Sequence, residues 1–104
     1  MNALRIDVGV HTLLHINLSN ADFTGIREIV FTVKNSSAVE APAIIERTFT
    51  EPGFYEVMIS PEESLLLAPG AEYDFIQVLT DGTRLKVSET GNIILRQSVG
   101  VGVD

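Results

Sequence analysis

Apolar and polar residues alternate along much of this chain with a period of two, which is the pattern of half-buried β-strands. Residues 12–18 show it clearly: Leu14 and Ile16 fall on one face, while His15 and Asn17 fall on the other. Successive side chains of a strand point to opposite sides of the sheet. The pattern therefore predicts a strand with one face in a core and the other in solvent.

Further segments carry the same signal and are separated by turn residues. The segment 28–34 predicts a strand in which Phe31 and Val33 face inward while Val30 and Thr32 face outward. The segment 44–50 alternates poorly, which is typical of an edge or bulged strand. The other predicted strands are residues 54–60, 73–80, 83–87 and 93–95.

Strand number and spacing predict the fold class. The pattern gives about seven or eight short strands with turn signals every 8–12 residues or so, the spacing of sandwiches and barrels. No long helical pattern alternates with the strands, which disfavours a parallel α/β fold. We predict an all-β, immunoglobulin-like two-sheet β-sandwich with one short helix between late strands. The domain is predicted to span residues 1–97, with residues 98–104 as a flexible tail.

One short helix interrupts the strand pattern. Ser60, Pro61 and Glu63 occupy the spacing of an N-cap, a proline at the first helical position and a capping-box acid. Residues 65–67 are all leucine and are predicted to form the apolar face of this helix. The element is expected to end before Gly70 and to close one end of the β core.

The late strands carry a hairpin signal and the expected core aromatics. Residues 73–80 are apolar on both faces, as in a central strand, and Tyr73 and Phe75 are predicted to be buried there. Asp81-Gly82 follows and favours a two-residue turn with positive φ at both positions. Phe54 follows a Pro-Gly pair and is out of step with its strand, so we predict that it is exposed.

Composition narrows the function classes. The chain has 104 residues, a formal net charge of −7, and neither cysteine nor tryptophan. A surface this acidic repels a phosphate backbone, so no nucleic acid partner is expected. Without cysteine the chain has no disulfide and no thiolate nucleophile, and without the Cys and Trp signature it is not an antibody-type domain. No secretory signal and no apolar run of about 20 residues is present, so we expect no membrane partner and synthesis in a cytoplasm.

Candidate chemistry is sparse. His11 and His15 on one strand face lie roughly 13 Å apart at about 3.3 Å per residue, too far to share a metal ion. No nucleophile or phosphate-binding motif is present, so neither an enzyme nor a cofactor is expected. Seven acids and no base lie between residues 48 and 83, and they predict a solvated acidic face that can also attract a basic partner. These acids are Glu51, Glu56, Glu62, Glu63, Glu72, Asp74 and Asp81.

Several stretches occur in an order that resembles a known family. They are D-F-T-G-I at residues 22–26, L-L-A-P-G-A-E-Y-D-F at 66–75, L-T-D-G-T-R at 79–84 and G-N-I-I-L at 91–95. Together they resemble small immunoglobulin-like β-sandwich proteins of tailed phages and prophages, such as the N-terminal domain of upper baseplate proteins. The chain departs from that pattern at Ala71 and Glu72, where one residue is usual between the glycine and the tyrosine.

This resemblance implies a function in which no residue is catalytic. It implies a non-enzymatic structural or assembly component of a virion, of tail or baseplate type, that forms a homo-oligomer or binds other phage structural proteins. The alternative is a module that recognises carbohydrate or a cell-surface ligand through loops 21–25, 51–53 and 81–82. The candidate interface residues are Phe54, Glu51, Glu56 and Glu72. The residues expected to act structurally are Tyr73, Phe75, Gly70, Asp81, Gly82, Ser60 and Glu63.

Overall fold

A computed structural model describes residues 3–36, 41–86 and 91–97 of the chain. Residues 98–104, predicted as a flexible tail, lie outside the described residues. The elements are β1 (Ala3–Val8), β2 (Thr12–Asn17), β3 (Ile26–Lys34), β4 (Ala43–Phe49), β5 (Phe54–Ile59), α1 (Pro61–Leu65), β6 (Glu72–Leu79), β7 (Arg84–Lys86) and β8 (Gly91–Gln97).

The strands form two sheets. The larger has the order β1-β8-β6-β3-β4, with β7 also paired to β6, and the smaller is the antiparallel pair β2-β5. β1 and β8 are parallel, and the other described pairs are antiparallel. The run β8-β6-β3-β4 has the order of the G-F-C-C′ sheet of a variable-type immunoglobulin domain, and β2 and β5 take the places of strands B and E. The predicted all-β, immunoglobulin-like sandwich is confirmed.

The core lies between the two sheets and draws on every strand except β7. Phe31 and Val33 from β3 are fully buried there. The Phe31 ring lies 5.9 Å from that of Tyr73 and 5.3 Å from that of Phe75, measured between centroids. Tyr73 is buried as predicted, whereas Phe75, which was also predicted to be buried, is only partly buried against this core. The other buried members are Ile6, Leu14, Ile16, Ile45, Phe49, Val57, Ile59, Leu67, Ala71 and Ile93. Removing this apolar surface from water is the main term that holds the sheets together.

Both faces of β3 are buried, which the alternation did not predict. Val30 and Thr32 were expected to face solvent, yet each is only 3% exposed. They do lie on the outer face of the larger sheet, but β3 has β4 on one side and β6 on the other. Thr32, for example, is flanked by Glu46 and Asp74 in the neighbouring strands. Cross-strand neighbours of this kind cover a small side chain on a central strand.

The helix begins as predicted but buries a different face. Ser60 and Glu63 form a complete capping box at its N-terminus. Leu65 and Leu66 were expected on the apolar face, but they are 65% and 62% exposed, whereas Leu67 is buried. The helix has only five residues, and its inward side is occupied by Ser64, whose hydroxyl accepts a hydrogen bond from the Gly9 N–H at 2.9 Å.

The β6–β7 hairpin has a three-residue loop rather than the predicted two-residue turn. The Leu79 N–H donates to the Thr83 carbonyl, and the Gly82 N–H donates to the Leu79 carbonyl. Within this loop only Gly82 has a positive φ, at +93°. Among the described residues no non-glycine residue has a positive φ. This is the geometry of a type I turn followed by a bulge in which glycine takes the left-handed conformation. Asp81 therefore keeps negative φ, and its carboxylate accepts from the Thr83 N–H at 2.8 Å.

Candidate docking surfaces

The solvent side of the smaller sheet carries a row of large exposed side chains. We call it the β2–β5 outer face, and its cross-strand pairs are Leu13–Met58, His15–Glu56 and Asn17–Phe54. Phe54 is 78% exposed, Met58 49% and Leu13 42%. Leu13 and Met58 form one exposed apolar pair, and the polar pair His15–Glu56 separates them from Phe54. Patches of exposed apolar residues are typical of interaction sites, whereas single exposed apolar residues are ordinary.

The packing of the neighbouring residue Tyr55 explains why Phe54 points outward. Its neighbour Tyr55 turns into the sandwich, where its ring lies 4.4 Å from the Phe49 ring and its hydroxyl donates to the Glu51 carbonyl. Because alternate strand residues point to opposite sides, Phe54 must then project into solvent. Tyr55 thus anchors the strand end that presents the exposed ring.

A shallow cleft of about 380 Å³ lies on this face, lined by His15, Asn17, Phe54 and Glu56 together with Ile16 and Tyr55. His15 Nδ1 and Glu56 Oε2 are 3.9 Å apart, and both side chains are more than half exposed. An ion pair this exposed contributes little to stability, on the order of 0–1 kcal/mol. The carboxylate of Glu56 is therefore available to a partner.

Hydrogen bonds join the three loops that were considered for ligand recognition. The Leu18 N–H donates to the Gly53 carbonyl at 2.7 Å, and the Thr80 N–H donates to the Gly25 carbonyl at 3.2 Å. The β2–β3 loop thus contacts both the β4–β5 loop and the β6–β7 loop. Within these loops, the backbone N–H and hydroxyl of Thr24 lower the pKa of Asp22, and those of Thr83 lower the pKa of Asp81.

A second surface lies on the outer face of the larger sheet. We call it the basic groove: it has a volume of about 270 Å³ and is lined by Lys34, Arg84, Lys86, Glu72, Asp74 and Ile76, with Ser36 at its edge. The whole chain has seven lysines and arginines, so three of the seven lie in this one groove. Local charge here is positive although the chain as a whole is acidic.

Asp74 is an acid within the largely apolar strand β6. One of its oxygens accepts a hydrogen bond from the buried Thr32 hydroxyl, and the other lies 3.6 Å from Lys86 Nζ. The Asp74 side chain is 15% exposed. These two partners compensate the cost of burying the carboxylate, so Asp74 needs no ligand to explain it.

Glu63 connects the helix to the edge of the larger sheet. Its carboxylate accepts from the Ser60 N–H at 3.0 Å and from Arg47 Nη2 at 3.1 Å. Burial raises the pKa of Glu63, but the hydrogen bonds from Ser60 and Arg47 outweigh it, so the pKa lies below its usual value. Arg47 also donates to the Met58 carbonyl and thereby links β4 to β5.

The structure separates the four candidate interface residues. Phe54 and Glu56 lie together on the β2–β5 outer face, and Glu51 lies in the adjoining loop. Glu72 lines the basic groove on the opposite side of the sandwich. The expectation of a single acidic face is therefore wrong, because β5 and β6 are consecutive in the chain but belong to different sheets.

The sequence did not identify the basic groove. Its cations come from β3 and β7, which both lie beside β6 in the larger sheet. Alternation does predict that Lys34 points outward, and this is the one signal the sequence offered. The groove depends on which strands are neighbours, and that is not encoded in local pattern.

Within residues 3–36, 41–86 and 91–97, no group of three or more histidine, aspartate or glutamate side chains is arranged to hold a metal ion. No helix in that part of the chain is long and apolar enough to cross a membrane. No protein-family model, curated protein or solved structure matches the chain.

Proposed function

We propose that this protein is a non-enzymatic structural module of a phage or prophage virion, of tail or baseplate type, that associates with copies of itself through the β2–β5 outer face. The observation that carries the proposal is the row of exposed apolar side chains at Leu13, Met58 and Phe54 on a folded sheet. The resemblance of the late strands to phage β-sandwich proteins supports the virion role. The chain would be made in the host cytoplasm and then incorporated into the particle.

The exposed row gives association a physical driving force. Removing one large apolar side chain from water contributes about 1.5–3 kcal/mol, and this face presents three. They stand on a two-stranded sheet whose inner side is packed in the core, so little backbone freedom is lost on docking. Virion parts are built from repeated copies, and repeated copies meet through symmetric or head-to-tail contacts.

Sedimentation velocity over a wide range of protein concentrations tests this function. Wild type is expected to show an average mass that rises with concentration, and Phe54→Ser with Met58→Ser is expected to weaken association at least about tenfold. The matched control is Leu65→Ser with Leu66→Ser. It removes two apolar side chains at the end of α1 and its C-cap that are exposed to a similar degree as Phe54 and Met58. A wild type that stays monomeric, or a control that weakens association equally, contradicts the proposal. Mass spectrometry of particles purified after prophage induction tests the virion role.

A second candidate function is recognition of carbohydrate or another cell-surface ligand. The hydrogen bonds at and beside loops 21–25, 51–53 and 81–82 favour it, as does the nearby cleft of about 380 Å³ with its aromatic and polar lining. Loops held by a rigid sandwich commonly carry binding sites. A glycan array probed with wild type and Asn17→Ala tests it: binding that is lost in the variant supports recognition, and an array without signal removes it.

A further inference from the structure

We propose that the basic groove is the surface that receives the β2–β5 outer face of a second copy, so that the protein assembles head to tail. This inference rests on the proposed self-association and adds the identity of the complementary surface. Both surfaces are present on every copy, so each copy can bind one neighbour through each surface.

The charges of the two surfaces are complementary. The groove has Lys34, Arg84 and Lys86 in a chain whose net charge is −7. Arg84 is exposed and has no ion-pair partner among the described residues. The β2–β5 outer face presents the exposed carboxylate of Glu56, and Glu51 is exposed in the adjoining loop. Complementary potentials favour docking of unlike patches and suppress docking of like ones.

The acids of the groove lie beside its two lysines and not beside Arg84, since Glu72 is the cross-strand partner of Lys34. Asp74 is already bonded to the Thr32 hydroxyl and paired with Lys86. Glu72 stands at the start of β6, away from Arg84, which pairs with Val78 near the other end of that strand. A carboxylate arriving at Arg84 therefore meets a cation that has not been neutralised by its own sheet.

The groove also offers an apolar contact to an exposed aromatic ring. Ile76 lies in the groove opposite Lys86 in the paired strand. The groove volume of about 270 Å³ exceeds the roughly 150 Å³ that suffices to hold a benzene ring. An exposed ring such as Phe54 can be buried against Ile76 with cations beside it, and cations near an aromatic face are attracted to it.

Geometry distinguishes this contact from a symmetric dimer. The two surfaces are the outer faces of the two packed sheets, so they look in opposite directions. A contact between them is heterologous and repeats into a ring or a filament. A two-fold contact of the β2–β5 outer face with itself brings Glu56 of both copies into one interface, where like charges repel.

Mixing two blocked variants tests the proposal. Phe54→Ser removes the exposed ring of the β2–β5 outer face without adding a charge and leaves the groove intact, and Arg84→Glu does the reverse. Both side chains are exposed, so both variants are expected to fold, which circular dichroism checks. By sedimentation equilibrium each variant alone is expected to associate at least about tenfold more weakly than wild type. Their equimolar mixture is expected to form a one-to-one dimer and nothing larger.

Matched variants serve as controls. Arg27→Glu makes the same charge change at another exposed arginine outside the groove, and it is expected to associate like wild type. Glu56→Arg combined with Arg84→Glu in one chain exchanges the two charges. This double variant is expected to recover at least about tenfold of the affinity that Arg84→Glu alone loses.

The outcomes separate this inference from the proposed function. If Phe54→Ser weakens association at least about tenfold while Arg84→Glu associates like wild type, the β2–β5 outer face is the docking surface but the groove is not its partner. If the equimolar mixture of the two variants forms no heterodimer, the head-to-tail arrangement is likewise wrong. If wild type is monomeric at every concentration, both the proposed function and this inference are wrong.

Discussion

Replacing Glu63 with glutamine removes the charge that links α1 to the edge strand β4. In the wild type Arg47 Nη2 lies 3.1 Å from both carboxylate oxygens, and the Ser60 N–H lies 3.0 Å from one of them. The glutamine oxygen can still accept from Ser60, so the N-cap bond persists. The charge-assisted contact with Arg47 is lost.

The expected cost follows from how far the pair is exposed. The Arg47 and Glu63 side chains are 33% and 27% exposed. Fully exposed pairs contribute about 0–1 kcal/mol, and breaking a buried pair costs about 3–5 kcal/mol. We expect Glu63→Gln to lower the free energy of unfolding by about 1–2 kcal/mol. In a domain of this size each kcal/mol lowers the melting temperature by about 4–8 °C, so the change is readily measured.

Chemical denaturation at several pH values is the assay. The pKa of Glu63 is lowered in the folded protein from an ordinary value of 4.5. Its stabilisation is therefore complete above that pH and is lost as the pH falls through the folded-state pKa. The stability difference between wild type and Glu63→Gln should thus be constant near neutral pH and should shrink in acid.

Glu62→Gln is the matched control, because it makes the same change in the same helical turn at an exposed side chain. It is expected to change stability by no more than about 0.5 kcal/mol. The reasoning is refuted if the two variants are equally stable, or if the Glu63→Gln difference does not shrink below pH 4.5.

Substitutions at three further positions probe the fold and the proposed surface. Tyr73→Ala, at a core position 7% exposed, should cost about 3–5 kcal/mol in denaturant unfolding, and an unchanged midpoint would show that Tyr73 is not a core residue. Phe54→Ala, at a position 78% exposed, should leave monomer stability within about 0.5 kcal/mol, and a larger loss would mean that the ring packs within its own chain. Gly82→Ala should cost about 1–2 kcal/mol because of the positive φ, with Gly82→Asn costing less, and equal stability of all three would contradict the turn geometry.

The sequence predicted best the strands that have one buried and one exposed face. In β2 and β5, buried and exposed residues alternate as the pattern indicates, because only one side of the smaller sheet meets the core. The capping box at Ser60 and Glu63 was also visible, since a cap depends on residues within one turn. Both predictions rest on local chemistry.

The incorrect predictions concern residues whose burial depends on neighbours from distant parts of the chain. Val30 and Thr32 are buried because β3 is central, and Leu65 and Leu66 are exposed because a five-residue helix has only a narrow inward side. The groove at Arg84 requires β7 to pair with β6, which in turn pairs with β3. Such long-range register is not contained in any single window of sequence.

The central claim is that two surfaces on opposite sides of one sandwich bind each other in successive copies. Amide chemical shifts of labelled wild type, followed by NMR from high to low concentration, test it most directly. We predict concentration-dependent shifts in two separate groups, one on β2 and β5 around His15 and Phe54 and one on the larger sheet around Ile76 and Arg84. Shifts confined to one group, or shifts that do not change with concentration, would contradict the claim.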